Sequence, residues 1–129
     1  MTSAVFAPIR RQRTILLETR KRDGSWIATP VAPAVAGDRL LVGTFTGAWK
    51  AKRIANFPEV ALSPCTFRGK VTGPRVLATA RLLESVEAAS AYRTLRRRFP
   101  FVYGVLVPIE LRLRGATGLY YELVLSSVQ

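Results

Sequence analysis

The sequence predicts a mainly β fold, a closed or nearly closed antiparallel barrel of six strands interrupted by two or three helices. Three observations carry this expectation. Extended runs rich in β-branched residues recur along the chain, separated by glycine-containing turns. Helical spacing is confined to a few short stretches. The 129 residues suffice for one modest core and not for two, so residues 1–129 read as a single domain.

Residues 14–20 are extended in character and lead into Asp23-Gly24, a hairpin turn signal. Residues 25–35 resume an extended run holding Trp26, Ile27, Thr29 and Val31, and Gly37-Asp38 marks a second turn. Residues 39–45 (RLLVGTF) form a third strand, so tight turns join three strands into a meander. The period then changes. Residues 47–56 (GAWKAKRIAN) are good helix formers and stop at Phe57-Pro58. Residues 60–67 (VALSPCTF) return to strand, and 68–74 make a basic, glycine-bearing loop. Residues 75–84 alternate, with Val76, Ala78, Ala80 and Leu82 on one face and Thr79 and Arg81 on the other. Ser85 is placed to cap a helix reaching about Arg98, along which Ala88, Tyr92, Leu95 and Phe99 form one stripe. Pro100 interrupts it, and residues 101–114 form a second short helix or an irregular apolar segment. A turn at 115–118 and a strand at 119–126 complete the order β-β-β-α-β-β-α-β, which suits a barrel without free edges.

Composition narrows the chemistry. Histidine is absent, which excludes a Ser-His-Asp triad, a Cys-His pair and His-containing zinc sites. Eight carboxylates stand singly and offer no paired general acid and base, so any hard chemistry must come from something the protein binds. Twenty Lys and Arg against eight Asp and Glu leave a net charge of +12, which calls for an anionic partner: nucleic acid, an acidic membrane surface or a polyanionic small molecule. The longest apolar stretch, residues 101–109, is broken by Gly104 and Pro108 and is too short to cross a bilayer. Arg10, Arg11 and Arg13 are not followed by the apolar core of a signal peptide. With the lone Cys65, which excludes an internal disulfide, these features point to a soluble cytoplasmic protein without membrane insertion.

The most informative stretch runs from Thr44 through Phe45, Thr46, Gly47, Ala48, Trp49 and Lys50 to Lys52 and Arg53. A strand leaves through two hydroxyl residues, turns at glycine and opens a helix carrying three cations. Free amides and the positive dipole end at such a helix start favour an anion. Lys50 and Arg53, three apart, share a face and can converge on one phosphate. By itself the stretch reads more readily as a solvated basic helix face. In Thr29-Pro30-Val31 the proline cannot donate to a ladder, so that side is an edge against which a planar ring could lie, or an ordinary edge or bulge. Cys65 in its apolar run, Trp26 and Trp49 read as core or interface residues, and Arg96, Arg97 and Arg98 as partners of a helix C-terminus.

Together the run from residue 14 to 84, and more loosely to the C-terminus, resembles the pyridoxamine 5′-phosphate oxidase-like (PPOX-class) family of FMN- and F420-binding split β-barrels. The matching pieces are ATPV at 28–31, LLVGTF at 40–45, and Thr44 followed by Lys50, Lys52-Arg53 and Asn56-Phe57-Pro58. Ser63-Pro64-Cys65 followed by Arg68-Gly69-Lys70-Val71-Thr72-Gly73 is similar to the actinobacterial F420-dependent subgroup. The resemblance implies a six-stranded split barrel paired into a homodimer, with the cofactor at the subunit interface. It implies that Thr29, Pro30 and Val31 lie along the ring, and that Thr44, Phe45, Thr46 and Lys50 meet phosphate and ribityl chain. Lys52 and Arg53 fall in the same basic turn beside Trp49, and a second chain contributes residues 63–68, including Cys65 and Arg68. Two departures stand out: Ala48 replaces a frequent serine, and the C-terminal Arg/His motif of true pyridoxamine phosphate oxidases is missing, so vitamin B6 oxidation is not expected.

The implied function is an F420-dependent oxidoreductase passing hydride between reduced deazaflavin and a small organic acceptor. The basic excess fits the polyglutamate tail that distinguishes F420 from FMN. FMN is the alternative cofactor, and a non-catalytic cofactor carrier is the alternative role. A nucleic-acid-binding barrel is disfavoured because few aromatics stand on the basic segments.

Overall fold

A computed structural model describes residues 12–125. Arg10, Arg11 and the expected strand end at Ser126 lie outside the described residues. Seven antiparallel strands form one sheet in the order β2-β1-β5-β6-β7-β4-β3. They are β1 (Ile15–Arg20), β2 (Trp26–Val31), β3 (Ala34–Ala36), β4 (Arg39–Phe45), β5 (Glu59–Pro64), β6 (Val76–Leu83) and β7 (Gly118–Leu125). Three α-helices interrupt them: α1 (Trp49–Asn56), α2 (Ser85–Arg98) and α3 (Val107–Arg114), the last preceded by a π-helical turn at Val102–Leu106.

The two ends of this sheet are consecutive in the chain. Among the described residues β2 pairs only with β1, and β3 only with β4, yet Ala32 and Pro33 alone separate them. The sheet must therefore curl until its edges meet at that buried proline corner. Here the expected six-strand count becomes seven. The run read as one strand over 25–35 is bent at Ala32-Pro33, its first half laddered to β1 and its second to β4, so no three-strand meander forms. A local extended propensity cannot say where a strand changes partners.

Period-two alternation fills the barrel. Ile15, Leu17, Leu40, Val42, Val60, Leu62, Ala78, Ala80, Tyr121 and Leu123 pack together inside, and Ile54 from α1 joins them. Leu41, between two inward residues, faces outward, where it meets Ala34, Leu83, Ala91, Leu95, Phe99 and Tyr103 under α2 and the π turn. This second layer explains why β4 reads as an unbroken apolar run. Along β6 the expected inward face holds at Val76, Ala78 and Ala80, but Leu82 is exposed, whereas Leu83, on the opposite face, is buried beneath α2.

Local chemistry sets most boundaries. Asp23 accepts from the Ser25 amide and hydroxyl, and Gly24 takes φ +90° to close the first hairpin. β5 ends at Pro64, earlier than expected. Cys65 makes only an isolated bridge to Val71, with Thr72 N–H donating to the Pro64 carbonyl across the small loop. Helix α2 spans the expected residues, but Ser85 is its first residue at φ +54°, and the preceding Glu84 makes no side-chain cap. Helix α3 ends in an αL glycine, Gly115, which donates to Arg112, while Ala116 donates to Leu111.

Candidate functional site

The free edge of β2, the end of β4, the first turn of α1 and the π turn with α3 enclose a cleft of about 250 Å³. Its walls are Pro30, Val31, Ala32, Gly43, Thr44, Phe45, Lys50, Val102, Tyr103, Val107, Glu110, Leu111 and Tyr120. The edge has a specific chemistry. Pro30 lies opposite Leu16 and, as a proline, has no N–H to donate from this edge strand. Two residues on, the Ala32 carbonyl accepts the Tyr103 hydroxyl at 3.0 Å instead of a strand partner. The floor is low because position 43 is glycine: a Cβ there would stand 3.2 Å from Tyr120 Cε1 and 3.6 Å from Tyr103 Cε1.

The π turn aims Tyr103 at that corner. Val107 N–H donates five residues back to Val102, and Pro108 has no N–H to give. The Tyr103 carbonyl thus loses its helical donor, and the Tyr92 hydroxyl of α2 takes it at 2.8 Å. Burial pushes the Tyr103 hydroxyl up to about 12, with Tyr120 adding to it. Burial, and then Tyr92, also raise Tyr120. Both phenols are neutral at physiological pH.

Lys50 is the cation of the cleft. It is half-buried, and desolvation followed by the charge of Arg53 pushes its ammonium below the usual lysine value of 10.5. Among the described residues it forms no ion pair. The carboxylate in the cleft wall, Glu110, is paired with Arg114 at 3.1 Å, and Arg114 in turn lies 4.5 Å over the Phe45 ring. The amides of the first turn of α1 have no intrahelical acceptors, so they add positive potential beside Lys50.

The expected site residues divide between places. Pro30, Val31, Thr44, Phe45 and Lys50 meet in the cleft, while neighbouring Thr29 is not in its wall. Thr46 is tied to the opposite turn, its Oγ1 accepting from Thr117 N–H at 3.1 Å. Lys50 and Arg53 do not converge, because α1 splays them to different sides. The Arg53 Nε donates to Thr19 Oγ1 at 2.6 Å, and the residue belongs to a second, basic cleft with Lys21, Arg22, Trp49, Lys52 and Asn56. Trp49 is 72% exposed there and carries the Lys52 ammonium 4.5 Å above its ring. Cys65 is buried away from both clefts, its thiol raised by desolvation, and Arg68 lies exposed over Phe67. Sequence reasoning missed Tyr103, Tyr120, Val107, Glu110 and Leu111. The signal for four of them was an apolar segment after Pro100 too irregular for one helical stripe, and Tyr120 sat unremarked in the last strand.

No family model and no curated protein matches the chain. Solved structures do. A proposed pyridoxamine 5′-phosphate oxidase from Listeria innocua superposes with a TM-score of 0.69 at 10% identity, over 99% of this chain and 95% of that one. The heme storage protein HutZ from Vibrio cholerae gives 0.70 at 12%, over 97% and 89%. An Agrobacterium tumefaciens protein of unknown function gives 0.74 at 19%, over 98% of this chain and 55% of that one. At such identities the likeness establishes the fold, a pyridoxamine-oxidase-like split barrel. Among the described residues no helix is long and apolar enough to cross a membrane.

Proposed function

We propose that the cleft binds a phosphate-bearing flavin or deazaflavin and that the protein is an oxidoreductase, with F420 as cofactor and FMN as the alternative. The single observation that carries this reading is Lys50, a half-buried ammonium without an ion pair at an apolar cleft bounded by a free strand edge. An anion there relieves the cost of burying the charge. The planar ring fits along β2 at Pro30 and Val31, over the low floor at Gly43, with Tyr103 and Tyr120 at its side. The Thr44 hydroxyl and Lys50 hold the phosphate end. When bound, the ring supplies the hydride chemistry, and this chain's residues bind it, orient it and keep water from one face. The phenols, held neutral, donate hydrogen bonds and remove no proton.

A cleft of about 250 Å³ falls short of a cofactor site, which ordinarily needs about 300–1,000 Å³. A second copy of the chain completing the cleft accounts for the shortfall, and a homodimer belongs to this proposal. The second cleft favours F420 over FMN, because Lys21, Arg22, Lys52 and Arg53 suit a polyglutamate tail.

A heme-binding role, suggested by the V. cholerae neighbour, fits the residues less well. The sequence has no histidine for an axial ligand, Cys65 is buried off the cleft, and the Tyr103 hydroxyl is committed to Ala32. Side-by-side titration with F420, FMN and hemin tests the reading. Saturable binding of F420 or FMN, weakened by Lys50→Ala, is expected, with affinity for F420 rising with tail length. Tight hemin binding with no affinity for either flavin would overturn it. Turnover of reduced F420 with a panel of acceptors separates an enzyme from a carrier.

A further inference from the structure

Helix α3 and the π turn before it carry two apolar faces, and the fold uses one. Tyr103, Val107 and Leu111, spaced four apart, line the cleft. Away from them Phe101, Val105, Ile109 and Leu113 repeat with the same spacing and are 63%, 43%, 54% and 83% exposed, with Leu106 at 48%. No residue of α3 is buried. Gly104, Val105, Pro108, Ile109, Arg112 and Leu113 together line an open groove of about 470 Å³. Scattered surface leucines need no explanation, but five large exposed apolar side chains within thirteen residues, three of them lining one groove, are of the kind that meets a partner.

The charges around the patch select that partner. Arg112 lies in the groove, and the Arg96 stem passes 3.8 Å from where a Cβ on Gly104 would stand. The acid of the helix, Glu110, is on the cleft side and bonded to Arg114. The occupant must be apolar at its centre and anionic at its rim. A second copy on this outer face meets this badly, since it would bring Arg96 and Arg112 of both copies into one contact between chains of net charge +12.

We propose that this face docks on an anionic lipid bilayer, with α3 in the plane of the interface. Phe101, Val105, Ile109 and Leu113 enter the acyl boundary, and Arg96 and Arg112 meet the headgroup phosphates. Apolar surface continues from there to the cleft: Pro108 borders both the outer groove and a third one, which shares Val107, Leu111 and Tyr120 with the cleft. The docking itself does not depend on what the cleft binds.

Co-sedimentation of the intact chain with vesicles of phosphatidylglycerol and phosphatidylcholine, beside vesicles of phosphatidylcholine alone, tests the proposal. Binding to the anionic vesicles is expected to be at least about tenfold the stronger. The double variant Ile109→Ser, Leu113→Ser keeps the net charge and should lose about tenfold of that binding, with unchanged melting and unchanged solution mass. Arg112→Ser should reduce it more than Arg22→Ser, which lies on the other cleft. Absence of binding to anionic vesicles, or full binding by the double variant, would overturn the proposal. So would equal losses from Arg112→Ser and Arg22→Ser, the mark of adsorption by charge alone. A solution mass that falls in the double variant would assign the face to a second copy instead.

Discussion

Replacing Lys50 with methionine should push two measurable quantities in opposite directions. Methionine keeps the length, apolar stem and helix propensity of lysine, so the change removes mainly the charge. In the ligand-free protein that charge is a burden, because burial and Arg53 both hold the ammonium's pKa below 10.5. The sign follows from linkage: a lysine depressed in the folded state binds fewer protons there than when unfolded, so its penalty is fully present below the folded pKa. A like-charge pair at this helical spacing costs about 0.2–0.5 kcal/mol when exposed, and desolvation adds to it, so Lys50→Met should stabilise the empty protein by about 0.5–1 kcal/mol. With an unfolding entropy of about 2.1 cal/mol/K per residue over 129 residues, Tm should rise by about 2–4 °C. Binding should move the other way. Losing a charged hydrogen bond costs about 1.5–3 kcal/mol, a loss of roughly 10- to 150-fold in affinity for FMN or F420. Thermal melts without ligand and fluorescence titration with FMN and F420 read the two effects. A variant that melts lower than the parent and binds either cofactor equally well would refute both the burial argument and the phosphate assignment.

The same lysine predicts that cofactor affinity falls as pH is raised through the alkaline range, beginning below 10.5, and that Lys50→Met abolishes this dependence. Tyr103→Phe removes the bond to the Ala32 carbonyl at the corner where the sheet closes. It should cost about 1 kcal/mol, a fall in Tm of about 3–5 °C, and an unchanged melt would show that the corner does not need it. Buried Glu122 accepts from Arg81 at 2.6 Å and from Arg39, and these bonds, Arg81 first, hold its carboxyl below the ordinary 4.5. Its stabilisation is complete above about that value and is lost as pH falls through the depressed folded pKa. Glu122→Gln should therefore destabilise by about 1–2 kcal/mol at neutral pH, with the urea midpoints of parent and variant converging in acid. Cys65 is buried, with its thiol raised by desolvation, so a thiol reagent should label it only as fast as the protein opens, and immediate labelling of the native protein would contradict its placement.

What the sequence determined by itself is local. Strand β4 occupies the expected residues 39–45, the turns at Gly24 and Gly37 fall where their neighbours demand a positive φ, and α1 stops before Pro58 as proline requires. The alternation that fills the barrel, and the resemblance that named its fold class, were equally readable, because each depends on residues within a few positions of one another. What needed the tertiary structure is every feature that depends on closure. Only the curling of the sheet splits the run around Ala32-Pro33 between two partners and leaves β2 with a free edge. Tyr103 and Tyr120, seventeen positions apart, become one wall through a π turn whose register is set by Pro108 and by the hydroxyl of Tyr92. Residues three apart along α1 share a face on a helical wheel, yet Lys50 lines one cleft while the bond to Thr19 turns the Arg53 guanidinium to the other. Spacing fixes direction about a helix axis to within a fraction of a turn, and which cleft a side chain enters is decided by what packs against that axis.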